Sequence, residues 1–172
     1  MIVSPTYVVG PYDHTGRFSW WVDRISQGGV VGCQGPAGNP MQPIDARDRA
    51  SWIVGPAERR IPGTFHSCSP EPPWSSGDML TAIGSALDAD AEFSRLDPDD
   101  VVAAPFPLGT PEAEAVLVLS RAAARASGLP PRPFAETVRD TAARMVTADW
   151  RRDGAGVEPD GEARLPAAST GA

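Results

Sequence analysis

Short blocks of apolar residues alternate with polar, glycine and proline residues along most of the chain. The run Ile2–Val9 predicts a buried strand that ends at a Gly-Pro pair. Apolar residues recur every three or four positions over Gly16–Gln27, which predicts an amphipathic helix. Two short extended segments follow, at Val30–Cys33 and Met41–Ile44, so strands and helices are expected to alternate.

A second helix is predicted to begin after Asp45, whose carboxylate suits the N-cap position, with Asp48 in the first turn. Gly55 and Pro56 are expected to kink this helix or end it early, because proline removes an amide donor and crowds the preceding turn. Apolar and polar residues alternate over Gly63–Ser69, which predicts a further strand.

Ser75 and Ser76 are predicted to cap a third helix that runs to about Leu87. A strand is expected over Ala91–Leu96, and the segment Asp97–Gly109 reads as irregular. Strands and helices of this length indicate several short elements rather than a few long ones.

The segment Glu112–Ser127 is ambiguous, because Val116–Leu119 favours a strand whereas Arg121–Ala126 favours a helix. The clearest helix spans Pro133–Trp150 and carries a single apolar stripe. The residues of that stripe are Phe134, Val138, Ala142, Met145 and Val146.

This order of elements predicts an α/β (or α+β) fold with short strands and about four to five helices. The strands are too few for a complete doubly wound sheet, so an incomplete α/β domain is expected. We assign residues 1–150 to this domain. Residues 151–172 are rich in glycine, proline and acidic residues and are expected to form a frayed or disordered tail.

Charge and composition exclude several classes of function. The net charge is −7, and no run of basic residues forms a stripe, which argues against nucleic acid and anionic membranes as partners. No apolar stretch approaches the ~20 residues that a membrane span needs. All 15 basic residues are arginine, so chemistry that requires a lysine is excluded. Cys33 and Cys68 are interpreted as reduced, partly buried thiols of a cytoplasmic protein.

Gly29, Gly32 and Gly35 match the spacing G-x-x-G-x-x-G of a coenzyme-binding turn. That turn must lie between a strand and a helix, so that the phosphates meet the helix N-terminus. Here a helix is predicted before the glycines, and Pro36 and Pro40 follow them. We therefore interpret the motif as a turn between short strands.

His14 and His66 are the only histidines and lack the spacing of a zinc site, so no metal site is expected. Asp13 and His14 are adjacent and could serve a hydrolase, although no G-x-S-x-G motif supports a serine nucleophile. We keep a hydrolase as a minor alternative.

Five segments, taken in order, resemble one family: the extended, epimerase/dehydratase-like short-chain dehydrogenases/reductases, in their actinobacterial reductase-like form. The first two segments look like the strand after the catalytic helix and the loop that lines the substrate site. The third resembles a short strand followed by an Asp-Val-x-Asp helix start, and the last two resemble the next strand and the final helix. The five segments are Val3–Pro11, Tyr12–Phe18, Gln42–Ala50, Gly63–Ser69 and Arg132–Thr141.

The resemblance implies that residues 1–150 are an incomplete, Rossmann-type C-terminal portion that binds substrate. The relatives use NAD(P) on a small carbonyl or sugar-like substrate. The coenzyme-binding half and the Tyr-x-x-x-Lys pair of the family are missing, so no catalytic residue is transferred to this chain. Pro5, Thr6 and Tyr7 are implied near the nicotinamide. The implied substrate contacts are Asp13, His14, Arg17 and Phe18.

We therefore expect a truncated reductase or epimerase homologue that is inactive alone and binds no coenzyme tightly. The alternative is a non-catalytic binding or regulatory module that docks on a full-length paralogue. In either case Ile2–Val9 would expose an unpaired edge, so we expect an aggregation-prone or dimerising chain, or one that docks to a Rossmann half.

Overall fold

The computed structural model describes residues 1–33, 35–68, 72–95, 118–130 and 132–148. Within these ranges the fold is α/β, as the sequence predicts, with eight short strands and five helices. In chain order the elements are β1 Ile2–Pro5, β2 Tyr7–Val9, α1 Arg17–Ser26, β3 Gly29–Cys33, β4 Pro40–Met41, β5 Pro43–Asp45, α2 Ala46–Glu58, β6 Thr64–Ser67, β7 Trp74–Ser75, α3 Ser76–Ala86, β8 Ala91–Arg95, α4 Ala122–Ala126 and α5 Phe134–Thr147.

The described strands associate in four pairs. β1 runs parallel to β6, β2 parallel to β5, and β3 parallel to β8. β4 and β7 form the one antiparallel pair among them. Parallel strands need crossover connections, and α1, α2 and α3 lie in the segments that provide them.

The sequence predicts one strand over Ile2–Val9, but the structure has two, β1 and β2. The chain bends at Thr6, where the backbone amide donates to the carbonyl of Ser67 at 3.3 Å and the side-chain hydroxyl donates to the carbonyl of Gln42. Pro5 has no amide hydrogen to continue the ladder. As a result β1 pairs with β6 and β2 turns to pair with β5.

Gly55 and Pro56 were expected to kink α2 or end it early, and the helix does not end there. α2 continues to Glu58, with Pro56 inside it. A proline this close to the C-terminal end removes a single amide donor, while its carbonyl still accepts from the amide of Ile61 at 3.0 Å. Pro56 is also buried, so its ring contributes packing.

The main core forms around α1, whose apolar face is buried as predicted. It packs against α3 and α5, and the side chains of Trp20 and Trp21 meet edge to face at 4.7 Å. A second, smaller core joins α2, β5, β6 and α4. Its buried members are Ile44, Trp52, Phe65, Ala124 and Leu129.

Helix α5 confirms the predicted final helix, but its inward stripe is shorter than predicted. Val138 is fully buried, whereas Val146 is 85% exposed. At 100° per residue, Met145 lies about 20° from the direction of Val138 and Val146 about 80° away. Thr141, which the prediction omitted, is buried on this helix instead.

Both predicted N-caps are confirmed. The Asp45 carboxylate accepts from the amide of Arg47 at 2.8 Å, and Ser75 forms a reciprocal capping box with Asp78. Ser76 is the first residue of α3 rather than its cap. Of the ambiguous segment, the helix at Arg121–Ala126 is observed as α4, with Arg121 as its N-cap residue.

Several sequence predictions fall outside the described residues. These are the irregular segment Asp97–Gly109, the N-terminal part of Glu112–Ser127, the end of the last helix at Trp150 and the tail 151–172. Cys33 and Cys68 are both buried, and the thiol of Cys68 lies 3.4 Å from the carbonyl of Leu119. No helix in the described part of the chain has the length and apolarity to cross a membrane.

Candidate functional site

A cleft of about 500 Å³ opens along the C-terminal part of β1, all of β2 and the loop that leads into α1. It brings together six of the seven residues implied by the resemblance. These are Pro5, Thr6, Tyr7, Asp13, His14 and Arg17. The seventh, Phe18, lies in the core, where its ring meets that of Phe134 edge to face at 5.8 Å.

Asp13 shapes the cleft by starting helix α1. One carboxylate oxygen accepts from the amides of Phe18 at 2.7 Å and Ser19 at 3.2 Å, and the other accepts from the amide of Thr15 at 3.0 Å. Gly16 makes this wrap possible with a left-handed φ of 70°, which glycine adopts without strain. The carboxylate is therefore occupied by amides that a helix start leaves unsatisfied.

Tyr7 lines the cleft and is half-buried. Burial raises the pKa of this phenol, and the positive charge of Arg17 opposes the rise without cancelling it. The phenol is therefore protonated at neutral pH and can donate a hydrogen bond.

His14 and Arg17 are exposed at the cleft surface. The Arg17 guanidinium touches the hydroxyl of Thr15 at 3.3 Å, so it is held near the loop without a carboxylate partner in the described chain. The Thr6 hydroxyl donates to the backbone carbonyl of Gln42, which anchors this side chain. The cleft thus combines a neutral phenol with a guanidinium, which suits a ligand with hydroxyl, carbonyl or anionic oxygens.

One residue of the cleft lining, Ala46, comes from a distant segment and was not predicted from the sequence. Ala46, the first residue of α2, joins the lining because Val9 of β2 pairs in register with Asp45 of β5. No sequence signal marks this contact, since strand pairing across 36 residues is decided by the fold. The other missed residues are neighbours of predicted ones, namely Val8, Val9, Gly10, Tyr12 and Thr15.

Behind Val9 lies a second, smaller cavity of about 60 Å³. A network of charges borders it: Arg47 pairs with Asp45 at 2.7 Å, and Arg132 pairs with Asp48 at 2.9 Å. Burial would raise the pKa of Asp45, but hydrogen bonds from Arg47 and Thr137 outweigh it and hold that pKa below its usual value. The same pair raises the pKa of Arg47.

The glycine motif lies in a different setting from a coenzyme-binding turn. Gly29 and Gly32 are inside strand β3, and only Gly35 occupies the turn that follows, with a φ of 69°. The interpretation as a turn between strands therefore holds for Gly35 and is wrong for the other two. The next described helix is α2, beyond two further strands. In the described ranges no group of three or more His, Cys, Asp and Glu residues is arranged to hold a metal.

No protein-family model and no curated protein matches this sequence. Solved structures do match its fold. A UDP-glucose 4-epimerase from Thermus thermophilus, in complex with NAD, has 21% identity and a TM-score of 0.57, over 85% of this chain and 47% of its own. One from Thermotoga maritima, with UDP-glucose, has 11% identity and a TM-score of 0.63, over 86% and 46%.

A GDP-L-fucose synthetase from Naegleria fowleri, bound to NADP, has 16% identity and a TM-score of 0.61, over 89% of this chain and 47% of its own. At these identities the likeness establishes the fold, and it confirms the resemblance at that level. The chain spans about half the length of the solved structures that it matches.

Proposed function

We propose that this chain is the substrate-side portion of an NAD(P)-dependent epimerase or reductase and is inactive without a coenzyme-binding half. The observation that carries this proposal is the cleft at Pro5–Arg17, because six residues implied from sequence meet there. The fold match over about half of the solved epimerases and reductases supports it. By analogy with those proteins, we propose a small carbonyl or sugar-like compound as the substrate class.

The described residues do not fit an NAD(P) molecule by themselves. Coenzyme phosphates need amides presented by a strand–turn–helix, and the glycine motif of this chain lies in and after a strand. The sequence also contains no lysine to complete the Tyr-x-x-x-Lys pair of the family. We therefore derive no hydride-transfer step from these residues.

Within the cleft, substrate binding is the role that the residues can perform. The Arg17 guanidinium, exposed at the cleft surface, attracts an anionic group of the ligand, and Tyr7 lines the same cleft. Asp13 positions Arg17 by holding the loop and the start of α1. The hydrolase alternative has no support from this geometry, since the Asp13 carboxylate is occupied by amides.

Calorimetry on the purified chain tests the proposal directly. Titration with NADH and with NADPH should give no saturable heat up to millimolar coenzyme, because no described turn holds the phosphates. Micromolar affinity for either coenzyme would show that the chain has a coenzyme site of its own and would overturn the proposal.

A second candidate function is a non-catalytic module that docks on a full-length paralogue. The exposed apolar residues at the start of the chain favour it: Ile2 is 63% exposed and Val8 is 42% exposed. In the described chain β1 and β2 each pair with one strand only, which leaves their other edges open. A homodimer would use the same surface.

A further inference from the structure

Arg121 is a buried residue at the edge of a small cavity. Its side chain lies at the start of α4 with only 6% of the residue exposed. In the described part of the chain its Nε has no hydrogen-bond acceptor, and no carboxylate forms an ion pair with it. Buried guanidinium groups are nearly always paired, because removing an unpaired charge from water is costly.

This arginine borders the cavity of about 60 Å³ behind Val9. A buried water needs roughly 10–15 Å³ measured in this way, so the cavity has room for roughly four waters or one small oxyanion. Several of its walls are apolar, which strengthens any charge interaction inside it. Those walls include Ile44, Trp74, Pro130 and Phe134.

The two carboxylates that line the cavity already have guanidinium partners. Asp45 accepts from Arg47 and from the hydroxyl of Thr137, and Asp48 accepts from Arg132. The outer partners of these arginines, Asp140 and Glu136, are about half exposed and therefore screened by solvent. Arg47 and Arg132 are therefore paired with carboxylates, whereas Arg121 has no carboxylate partner in the described chain.

We propose that Arg121 and this cavity bind a single oxyanion group, a carboxylate or a phosphate. The guanidinium fork of arginine matches the two oxygens of such a group with parallel hydrogen bonds. The site is separate from the cleft, with Val9 as a shared wall. It stands whether or not the cleft binds a reductase or epimerase substrate.

Titration calorimetry at low salt tests the site, with inorganic phosphate and acetate as separate probes. Saturable binding of one or both is expected, and the stronger probe identifies a tetrahedral or a planar anion as the preferred group. Arg121→Met should weaken that binding at least tenfold. Arg125→Met is the matched control, because Arg125 is exposed on the same short helix, and it should bind like the natural chain.

The melting temperature without added anion provides a second measurement. Arg121→Met should raise it, because methionine fills a similar volume without burying an unpaired charge. A lower melting temperature would reveal an internal partner of Arg121 and would overturn the proposal. Equal anion binding by Arg121→Met and the natural chain, or no binding of either probe, would overturn it as well.

Discussion

Asp13 acts in the cleft through the helix that follows it. Its two carboxylate oxygens accept from the amides of Thr15, Phe18 and Ser19, so the loop and the first turn of α1 are held in one arrangement. Arg17, on the cleft surface, belongs to that turn. A residue that the resemblance places near substrate is therefore a positioning residue here.

Asp13→Ala should destabilise the protein by about 0.5–2 kcal/mol, the usual cost of losing a helix-capping side chain. Asp13→Asn should cost less, because its amide oxygen still accepts one of these bonds. Urea unfolding followed by circular dichroism measures both free energies. Equal stability of Asp13→Ala and the natural chain would contradict the capping role.

Asp45 makes the stability of the fold depend on acidity. Its pKa is lowered in the folded state, so its contribution is complete above the unfolded pKa, about 4 for an aspartate. That contribution is lost as the pH falls through the lower, folded value. The free energy of unfolding should therefore decrease below about pH 4.

Asp45→Asn tests this assignment. It should cost about 3 kcal/mol at neutral pH, because Arg47 and Thr137 lose a buried carboxylate. The variant should also show a shallower decrease of stability between pH 5 and pH 2. If both proteins lose stability in parallel on acidification, another carboxyl group is responsible.

At the scale of elements, α5 joins the core through one face that is narrower than its apolar sequence suggests. Val138 packs fully against the core around α1 and α3, while Val146, two turns later, faces solvent. The same residue type on one helix thus has opposite environments. This pair allows the packing contribution of α5 to be measured with a matched control.

Val138→Ala should destabilise the protein by about 2 kcal/mol, from two buried carbon groups at about 0.8 kcal/mol each plus the cavity that they leave. Val146→Ala should change stability by less than about 0.5 kcal/mol. Thermal or urea unfolding compares the two. A similar cost for both would show that α5 does not pack as described.

The break at Thr6 is the element-scale feature with the largest consequence for the cleft. Because the chain bends between β1 and β2, the two strands pair with β6 and β5 respectively, and the C-terminal end of β1 opens toward the loop at Asp13. One continuous strand would have paired along a single partner and left no such opening.

At the scale of the whole molecule, the docking surface that we propose lies at β1 and β2, each of which pairs with only one strand in the described chain. Ile2 and Val8 project from these strands with much of their side chains exposed. Exposed apolar side chains on a strand with an unpaired edge commonly mark an interface or an aggregation site. A coenzyme-binding half, a paralogue or a second copy of this chain could occupy it.

Replacing Ile2 and Val8 together with threonine should reduce self-association and co-purification of a coenzyme-binding reductase. Threonine keeps the strand propensity while removing apolar surface. Light scattering measures the first effect and affinity purification the second, with Val146→Thr as an exposed control elsewhere. A natural chain that is a stable monomer and retains no reductase would argue against this docking surface.

The sequence by itself determined the α/β class, all three central helix starts and most element positions. Asp45 and Ser75 marked their helix ends because a capping side chain acts on amides only two or three residues away. The 3–4 spacing in Gly16–Gln27 likewise revealed α1 and its buried face. The resemblance also pointed to the stretch Pro5–Arg17, and six of the residues that it implies line the cleft.

Only the tertiary structure decided what depends on distant partners. It split Ile2–Val9 at Thr6, because the bond to Gln42 joins residues 36 positions apart. In the tertiary structure α2 continues through Pro56, whose ring is buried although the helix lacks one amide donor there. The tertiary structure placed Phe18 in the core and Arg121 in a cavity without a carboxylate partner in the described chain. Helix capping and the spacing of apolar residues depend on neighbouring residues, so the sequence reveals them. Strand pairing and the burial of charged side chains depend on which distant segments the fold brings together.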